Sequence, residues 1–181
     1  SMSIADADGN MICLTQSLGS AFGSGVMIPG TGVILNNFLN WTDLNPASPN
    51  ALQPGQRIAM CLAPSISTRS GKGILALGTP GSYGILQTQV QAMVGHLDFG
   101  LDIQAAIEMP RARLWDGKQV YLERRVPHSV CVELSTRGHD VALLRDYSWR
   151  TGGMQAVSRD PDSGALAGAA DSRRDGAVIP A

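Results

Sequence analysis

Charge is sparse in this sequence and nowhere concentrated. Charged side chains make up 16% of 181 residues, 14 basic against 15 acidic, for a net charge of -1. The basic residues gather no further than the doublets Arg124-Arg125 and Arg173-Arg174, which argues against a nucleic-acid partner. Cysteine is scarce too. Cys13, Cys61 and Cys131 give neither an even disulfide framework nor a CxxC pair. Cys13 and Cys131 stand among apolar neighbours as small hydrophobes. His96, His128 and His139 lack metal-ligand spacing. The run Asp6-Ala7-Asp8-Gly9-Asn10 lacks both the spacing and the closing glutamate of a calcium loop, and reads as a hairpin turn. No metal and no organic cofactor is implied. Apolar runs are too short and too broken to span a bilayer. No leader pattern opens the chain, and no compartment is implied.

Apolar material is ample. Hydrophobic residues make up 44%, enough for a sizeable core. Residues 3–6 and 11–17 flank Asp8-Gly9-Asn10 and predict an opening hairpin. Residues 19–32 read as a glycine- and serine-rich loop, and 32–35 as a short buried strand. Residues 45–56 form a proline-containing connection, with Asn40-Trp41-Thr42 before it fitting a glycosylation sequon. Strands are predicted at 65–68 and 74–77 around a turn at 70–73. Leu86, Val90, Met93, Val94 and Leu97 recur at helical spacing and predict an amphipathic helix over 85–97. Asp102 can cap a second helix, ended by Pro110. Residues 119–122 read as a strand. Pro127 fits the first turn of a third helix, which Gly138 terminates. Residues 141–144, 154–157 and 165–169 complete the strands. The order suggests α+β layers in one domain spanning 1–181, with no linker.

The most unusual stretch is LGTPGSYGILQTQVQAMV, residues 77–94. A buried-looking strand breaks into Gly78, Pro80, Gly81, Ser82 and Gly84 and becomes a helix without pause. A backbone so bare can bring N–H groups close to a negative charge, either a phosphate or a transient oxyanion. It can equally be a tight turn with no ligand. The phosphate-loop pattern GxxxxGK[ST] and the dinucleotide pattern GxGxxG are both missing, which weakens the nucleotide reading.

A series of short motifs resolves the choice. Ser3-Ile4-x-Asp6-x-Asp8-Gly9-Asn10 is followed by Phe22-Gly23-Ser24-Gly25, Thr31-Gly32-Val33-Ile34-Leu35-Asn36-Asn37 and Pro54-Gly55-Gln56-Arg57. Gly78-Thr79-Pro80-Gly81, Pro110-Arg111, Gly138-His139 and Gly168-Ala169-Ala170-Asp171 continue it. In this order and spacing the chain resembles, from end to end, the small C-terminal subunit of the gamma-glutamyltranspeptidase family of N-terminal-nucleophile hydrolases. The resemblance implies a four-layer αββα sandwich. It also implies a precursor that cuts itself before a threonine, whose hydroxyl is the nucleophile and whose new α-amine is the base. Such an amine has an unperturbed pKa of about 7.7–8.0, near working pH. The partner implied is the large subunit of the same precursor.

By that resemblance, the backbone N–H groups of Gly81 and Ser82 stabilise the oxyanion, although the family has a second glycine at Ser82. Ser17 matches a hydroxyl near the nucleophile; it can also be a strand-end serine bonded to backbone. The nucleophile itself would lie two positions before Ser1. Ser1, with a hydroxyl and an α-amine of its own, is a poor substitute because it is displaced by two residues. The family's polar contacts to a glutamyl substrate match Gly19, Phe38 and Trp41 on the amino side and Met60 and Cys61 on the carboxylate side. Burying an ammonium and a carboxylate against such side chains is costly. Phe38, Trp41 and Trp149 can wall a less charged acyl group or belong to the core. Asn36 and Asn37 pin their loop. The pattern is similar to the family's acylase-like branches, hydrolysing a small-molecule amide. Authentic γ-glutamyl transfer and a catalytically inert fragment or binding module are the alternatives.

Overall fold

The structure, a computed structural model, describes residues 1–180. They fall into two compact units: Ser1–Thr15 with the chain from Cys61 onward, and Gln16–Met60. The first unit holds all the regular strands and α-helices of the described residues. Its strands begin with β1 (Met2–Ala5), β2 (Met11–Leu14), β3 (Ser65–Arg69) and β4 (Lys72–Gly78). Helices α1 (Ile85–Leu97) and α2 (Ile103–Glu108) follow, then β5 (Ala112–Asp116) and β6 (Gln119–Glu123). The rest is α3 (His128–Thr136), β7 (Asp140–Leu144), β8 (Gln155–Arg159) and β9 (Leu166–Ala170).

Strands β3-β4-β8-β9 form an antiparallel sheet in that order. The β1-β2 hairpin packs on one face of it. Glycine lets the two sheets approach: a Cβ at Gly73 would lie 2.9 Å from Met11 Sδ, and one at Gly78 would lie 3.1 Å from Cys13 Sγ. Ser3 Oγ donates to the Gln155 carbonyl at 2.9 Å and ties β1 to β8. Strand side chains alternate back from Gly78, and a bulge between Gly73 and Leu75 turns Gly73 to the same face as Gly78, so Leu75 and Leu77 point the other way. There they join Ala92 of α1, Ile103 and Ile107 of α2, and Met154, Ala156 and Ala169 in the main core. Sheet, sheet and helical layer stack in an α+β arrangement.

A third sheet, β5-β6-β7, pairs β5 with β6 antiparallel and β6 with β7 in parallel, with α3 as the crossover. Its core is Val120, Leu122 and Cys131. The open edge of β5 is capped by two amides of α1, one helical turn apart. Gln87 accepts from the Leu114 N–H at 2.7 Å and donates to the Leu114 carbonyl at 3.1 Å; Gln91 does the same with Ala112 at 2.9 and 2.8 Å. Each amide imitates a strand peptide, so the edge is closed to further pairing.

Buried ions join this sheet to the first. Arg111 Nη2 lies 2.7 Å from Asp171 Oδ2, and that oxygen accepts from the Met154 N–H at 2.9 Å. Glu123, fully buried, accepts from Arg173, Arg125, the N–H groups of Arg111 and Ser148, and the Thr151 hydroxyl. Burial pushes its carboxyl up, but the Arg173 bond and charge, with the Arg111 N–H and Thr151 hydroxyl, win and hold it at about 2.

The second unit is mostly loop, with a 3-10 turn at Phe38–Trp41. Asn37 organises it. Its side chain accepts from the Ser20 N–H at 3.1 Å and donates to Ser20 Oγ at 2.6 Å, while its N–H bonds the Leu18 carbonyl at 2.9 Å. Asn36 Oδ1 accepts from the Phe38 N–H at 3.1 Å. Both asparagines pin the loop as expected.

Three expectations need correction, and one strand was not expected. Residues 32–35 are not a buried strand: Ile34 makes one isolated bridge to Met27, and Val33 and Leu35 are exposed. A short apolar run without a full partner strand buries nothing. On α1, Leu86, Val90 and Val94 face outward, and Ile85, Thr88, Gln89, Ala92 and Gly95 are the buried residues. Inside, the Thr88 hydroxyl donates to the Gly84 carbonyl at 3.0 Å, and Gln89 Nε2 reaches the Ala63 carbonyl at 2.9 Å and Ser65 Oγ at 2.6 Å. Strand β5 escapes the sequence reading, because Arg113 and Asp116 break its apolar pattern. Pro127 is the N-cap of α3 rather than part of its first turn.

Candidate active site

The glycine-rich turn sits where β4 leaves its sheet. Ladder pairing ends at Gly78 opposite Gln155. Thr79 is then fully buried, Pro80 follows, and Gly81 takes φ 147°, ψ 16°, which only glycine enters without strain. Ser82 continues at φ 54°, the left-handed region. A 3-10 turn over Ser82–Gly84 runs straight into α1. The Gly84 N–H closes on the Gly81 carbonyl at 3.1 Å. Among the described residues, the N–H groups of Gly81 and Ser82 donate to nothing. Two adjacent unpaired amides at the head of a 13-residue helix form an anion-binding corner, favoured by the positive end of the helix dipole.

Behind the turn, Thr79 Oγ donates to the Pro80 carbonyl at 2.8 Å and accepts from the Gly153 N–H at 3.1 Å. A Cβ at Gly152 would lie 2.6 Å from Thr79 Oγ and 3.6 Å separates the Gly152 Cα from a Cβ at Gly81. Arg111 Nη1 holds the Thr151 carbonyl at 2.9 Å, fixing the strand of chain that carries Gly152 and Gly153. Arg113 lies against the turn's last residue, its Nε 2.7 Å from where a Gly84 Cβ would be. Its Nη1 donates to the Arg150 carbonyl at 2.9 Å and its guanidinium lies 4.8 Å from the Trp115 ring centre. No carboxylate pairs with it among the described residues, and burial pushes its pKa down.

The other residues singled out by sequence are spread over both units. In the first, Ser1 Oγ is 2.9 Å from Thr15 Oγ1 and 3.1 Å from the position of a Gly78 Cβ, so the opening of the chain lies against the end of β4. Cys61 is buried, which pushes its thiol pKa up, the nearby Arg113 charge opposing. Trp149 is exposed beside Arg174. In the second unit, Ser17 Oγ accepts from the Gly19 N–H at 3.2 Å. A side chain at Gly19, where φ is 93°, would strike Asn37 Oδ1. Phe38 and Trp41 meet edge to face at 5.5 Å, both half-buried, and Asn50 Nδ2 holds the Trp41 carbonyl at 2.7 Å. Met60 is exposed. Sequence reasoning quoted Thr79 and Arg111 inside motifs but gave them no role. Their only linear signal is adjacency to Pro80 and Pro110. No group of three metal-ligating side chains occurs among the described residues, and no helix there is long and apolar enough to cross a membrane.

Known proteins resemble this chain along nearly its whole length. The chain is 37% identical over 179 residues to the acylase ACY 1 proenzyme of Pseudomonas sp. (strain SE83), covering 98% of this chain and 31% of that protein. It is 34% identical to the glutathione hydrolase proenzyme of Bacillus subtilis (strain 168), covering 97% of this chain and 30% of that one. It thus spans under a third of either relative's length. The crystal structure of cephalosporin acylase from Bacillus halodurans superposes with a TM-score of 0.90 at 38% identity, over 98% of this chain and 33% of that one. The family profile described as Gamma-glutamyltranspeptidase matches residues 1–181, and the chain belongs to that family.

Proposed function

We propose that this chain is the C-terminal part of a self-processed precursor and works as an amidohydrolase through an acyl-enzyme. A threonine placed by register just before it would attack the amide carbonyl carbon, its hydroxyl proton passing to its own α-amine. The carbonyl oxygen becomes an oxyanion received by the Gly81 and Ser82 N–H groups. Collapse breaks the C–N bond, the proton goes to the leaving amine, and an ester remains on the threonine. Water, giving a proton to the α-amine, then attacks that ester through a second tetrahedral oxyanion at the same donors; collapse breaks the C–O bond to threonine, whose oxygen takes the proton back, and the acid leaves. The observation that carries this reading is the pair of unpaired amides at the turn. Ser17 is assigned to the nucleophile's surroundings.

For the acyl group we propose one without a free α-amino and α-carboxylate pair. By the family resemblance, Phe38, Trp41 and Cys61 stand at positions that carry polar substrate contacts in the family, and Gly19 and Met60 add no charge. Asn37 holds Ser20, next to Gly19, and Asn36 accepts from the Phe38 N–H. The glutathione hydrolase relatives favour the rival reading, γ-glutamyl transfer or hydrolysis. Mass spectrometry of the full precursor tests the first claim: cleavage before a threonine is expected, and an uncut product overturns it. Turnover of p-nitroanilides tests the second. Faster hydrolysis of an uncharged aliphatic acyl anilide is expected; faster turnover of the γ-glutamyl anilide establishes the rival.

A further inference from the structure

We infer that Thr79 is a positioning residue that aims one of the two oxyanion donors, an inference that rests on the amidohydrolase reading above. In a trans peptide the carbonyl and the N–H point in opposite directions across one rigid plane. Whatever holds the carbonyl therefore directs the amide. The Pro80 carbonyl shares its plane with the Gly81 N–H, and its partner is the Thr79 hydroxyl at 2.8 Å. The Gly81 carbonyl shares its plane with the Ser82 N–H, and its partner is the Gly84 N–H at 3.1 Å. Both donors are thus aimed from behind, by bonds their own carbonyls accept.

The two aims differ in what supplies them. The Ser82 donor is set by backbone, through the 3-10 turn that begins α1. The Gly81 donor is set by a side chain. Gly81 has no Cβ to restrain the preceding peptide, so the 80–81 plane is otherwise the loosest part of the turn. Thr79 is well suited to lock it. It is fully buried, so water does not compete for its hydroxyl. The Gly153 N–H at 3.1 Å occupies a lone pair and leaves the single hydroxyl proton for Pro80. Gly152, at φ 103°, passes so close that any side chain there would displace the hydroxyl.

The test is steady-state hydrolysis of an anilide by the processed full-length enzyme, with active sites titrated by the p-nitroaniline burst. Thr79→Val keeps the shape and removes the hydroxyl. Loss of a whole oxyanion donor costs about 100- to 1000-fold in kcat, so a misaimed one is expected to lower kcat about tenfold or more. KM stays within about twofold, because the interaction exists only in the transition state. Thr79→Ser restores kcat to within about threefold of the parent. If Thr79→Val does not fold, the pair Thr79→Ala and Thr79→Ser carries the same comparison. A merely structural hydroxyl would lower the melting temperature and leave kcat per titrated site unchanged, which overturns the inference. Equal loss in the valine and serine variants also overturns it. A parent with no amidase activity overturns the underlying reading and this inference together, whereas an active parent with unaffected variants overturns this inference alone.

Discussion

Arg173 grips Glu123 through both carboxylate oxygens, Nε to Oε1 and Nη2 to Oε2, each at 2.6 Å, with both side chains fully buried. The two residues lie fifty positions apart in the chain, and their pairing joins β6 to the segment after β9. Charge-assisted bidentate pairs are among the strongest hydrogen bonds in proteins, but their desolvation is expensive. Breaking one partner is therefore far worse than lacking the pair.

Glu123→Ala is expected to destabilise the fold by about 3–5 kcal/mol, since it leaves the buried Arg111 and Arg173 guanidiniums with a single buried carboxylate, Asp171, between them. Urea unfolding followed by circular dichroism reads this as a lower midpoint at unchanged slope. An exposed pair gives the contrast. Glu133 of α3 and its C-cap Arg137 face solvent, and Glu133→Ala should cost less than about 1 kcal/mol.

Acid should act through the same residues. The Glu123 carboxyl is held at about 2, against an ordinary 4.5. That of Asp171 is also lowered, burial being outweighed by Arg111 and the Met154 and Arg173 N–H groups. Depressed carboxyls in the folded state mean the unfolded chain binds more protons in acid. Their stabilisation is complete above the ordinary carboxylate range, near pH 4.5, and is lost as pH falls toward 2. Melting temperatures between pH 6 and pH 2.5 measure it, and Glu123→Gln should flatten the lower part of the profile.

At the turn, two substitutions should behave in opposite ways. Ser82 at φ 54° bears about 1 kcal/mol of left-handed strain, which Ser82→Gly relieves while loosening the unfolded chain by a similar amount. Stability should stay within about 0.5 kcal/mol and kcat should persist, because the donor is backbone. Gly81→Ala meets no atom closer than 3.6 Å, yet φ 147° with ψ 16° is barred to an L side chain. Destabilisation above about 1 kcal/mol and a clear fall in kcat are expected, read by thermal melts and anilide turnover.

In the smaller unit, Asn37→Ala removes both side-chain bonds to Ser20. The loop from Ser17 to Ser24 should then be cut faster by a nonspecific protease under native conditions, with cleavage sites read by mass spectrometry. Asn37→Asp keeps the acceptor and loses the donor, so its cleavage rate should fall between the two.

The regular elements followed from local pattern where local pattern suffices. Helix α1 begins and ends at Ile85 and Leu97 as predicted, because a glycine turn precedes an uninterrupted helical stretch. Asp102 caps α2 through the Ala105 N–H at 2.9 Å, also as predicted. The inward face of α1 did not follow. Gln89 and Thr88 are buried, the Gln89 Nε2 bonded to Ala63 and Ser65 and the Thr88 hydroxyl to Gly84, and such bonds have no linear signature. Strand β5 was missed for a related reason: its edge is completed by glutamine side chains on a helix 21 and 27 residues earlier.

Residue order alone establishes that a glycine-bearing turn joins a strand to a helix and that its motifs match one hydrolase family. The turn follows from short-range sterics, a property of neighbours, and the family match from the order and spacing of the motifs. Where the turn's two amides point belongs to the folded state. Thr79 can lock the Pro80 carbonyl only because Gly153, 74 positions later, arrives to occupy the other side of its hydroxyl. Arg111 holds the chain that brings Gly153 there, anchored by an aspartate 60 positions farther along. Such an aim depends on contacts between distant segments, and those exist only once the core has closed.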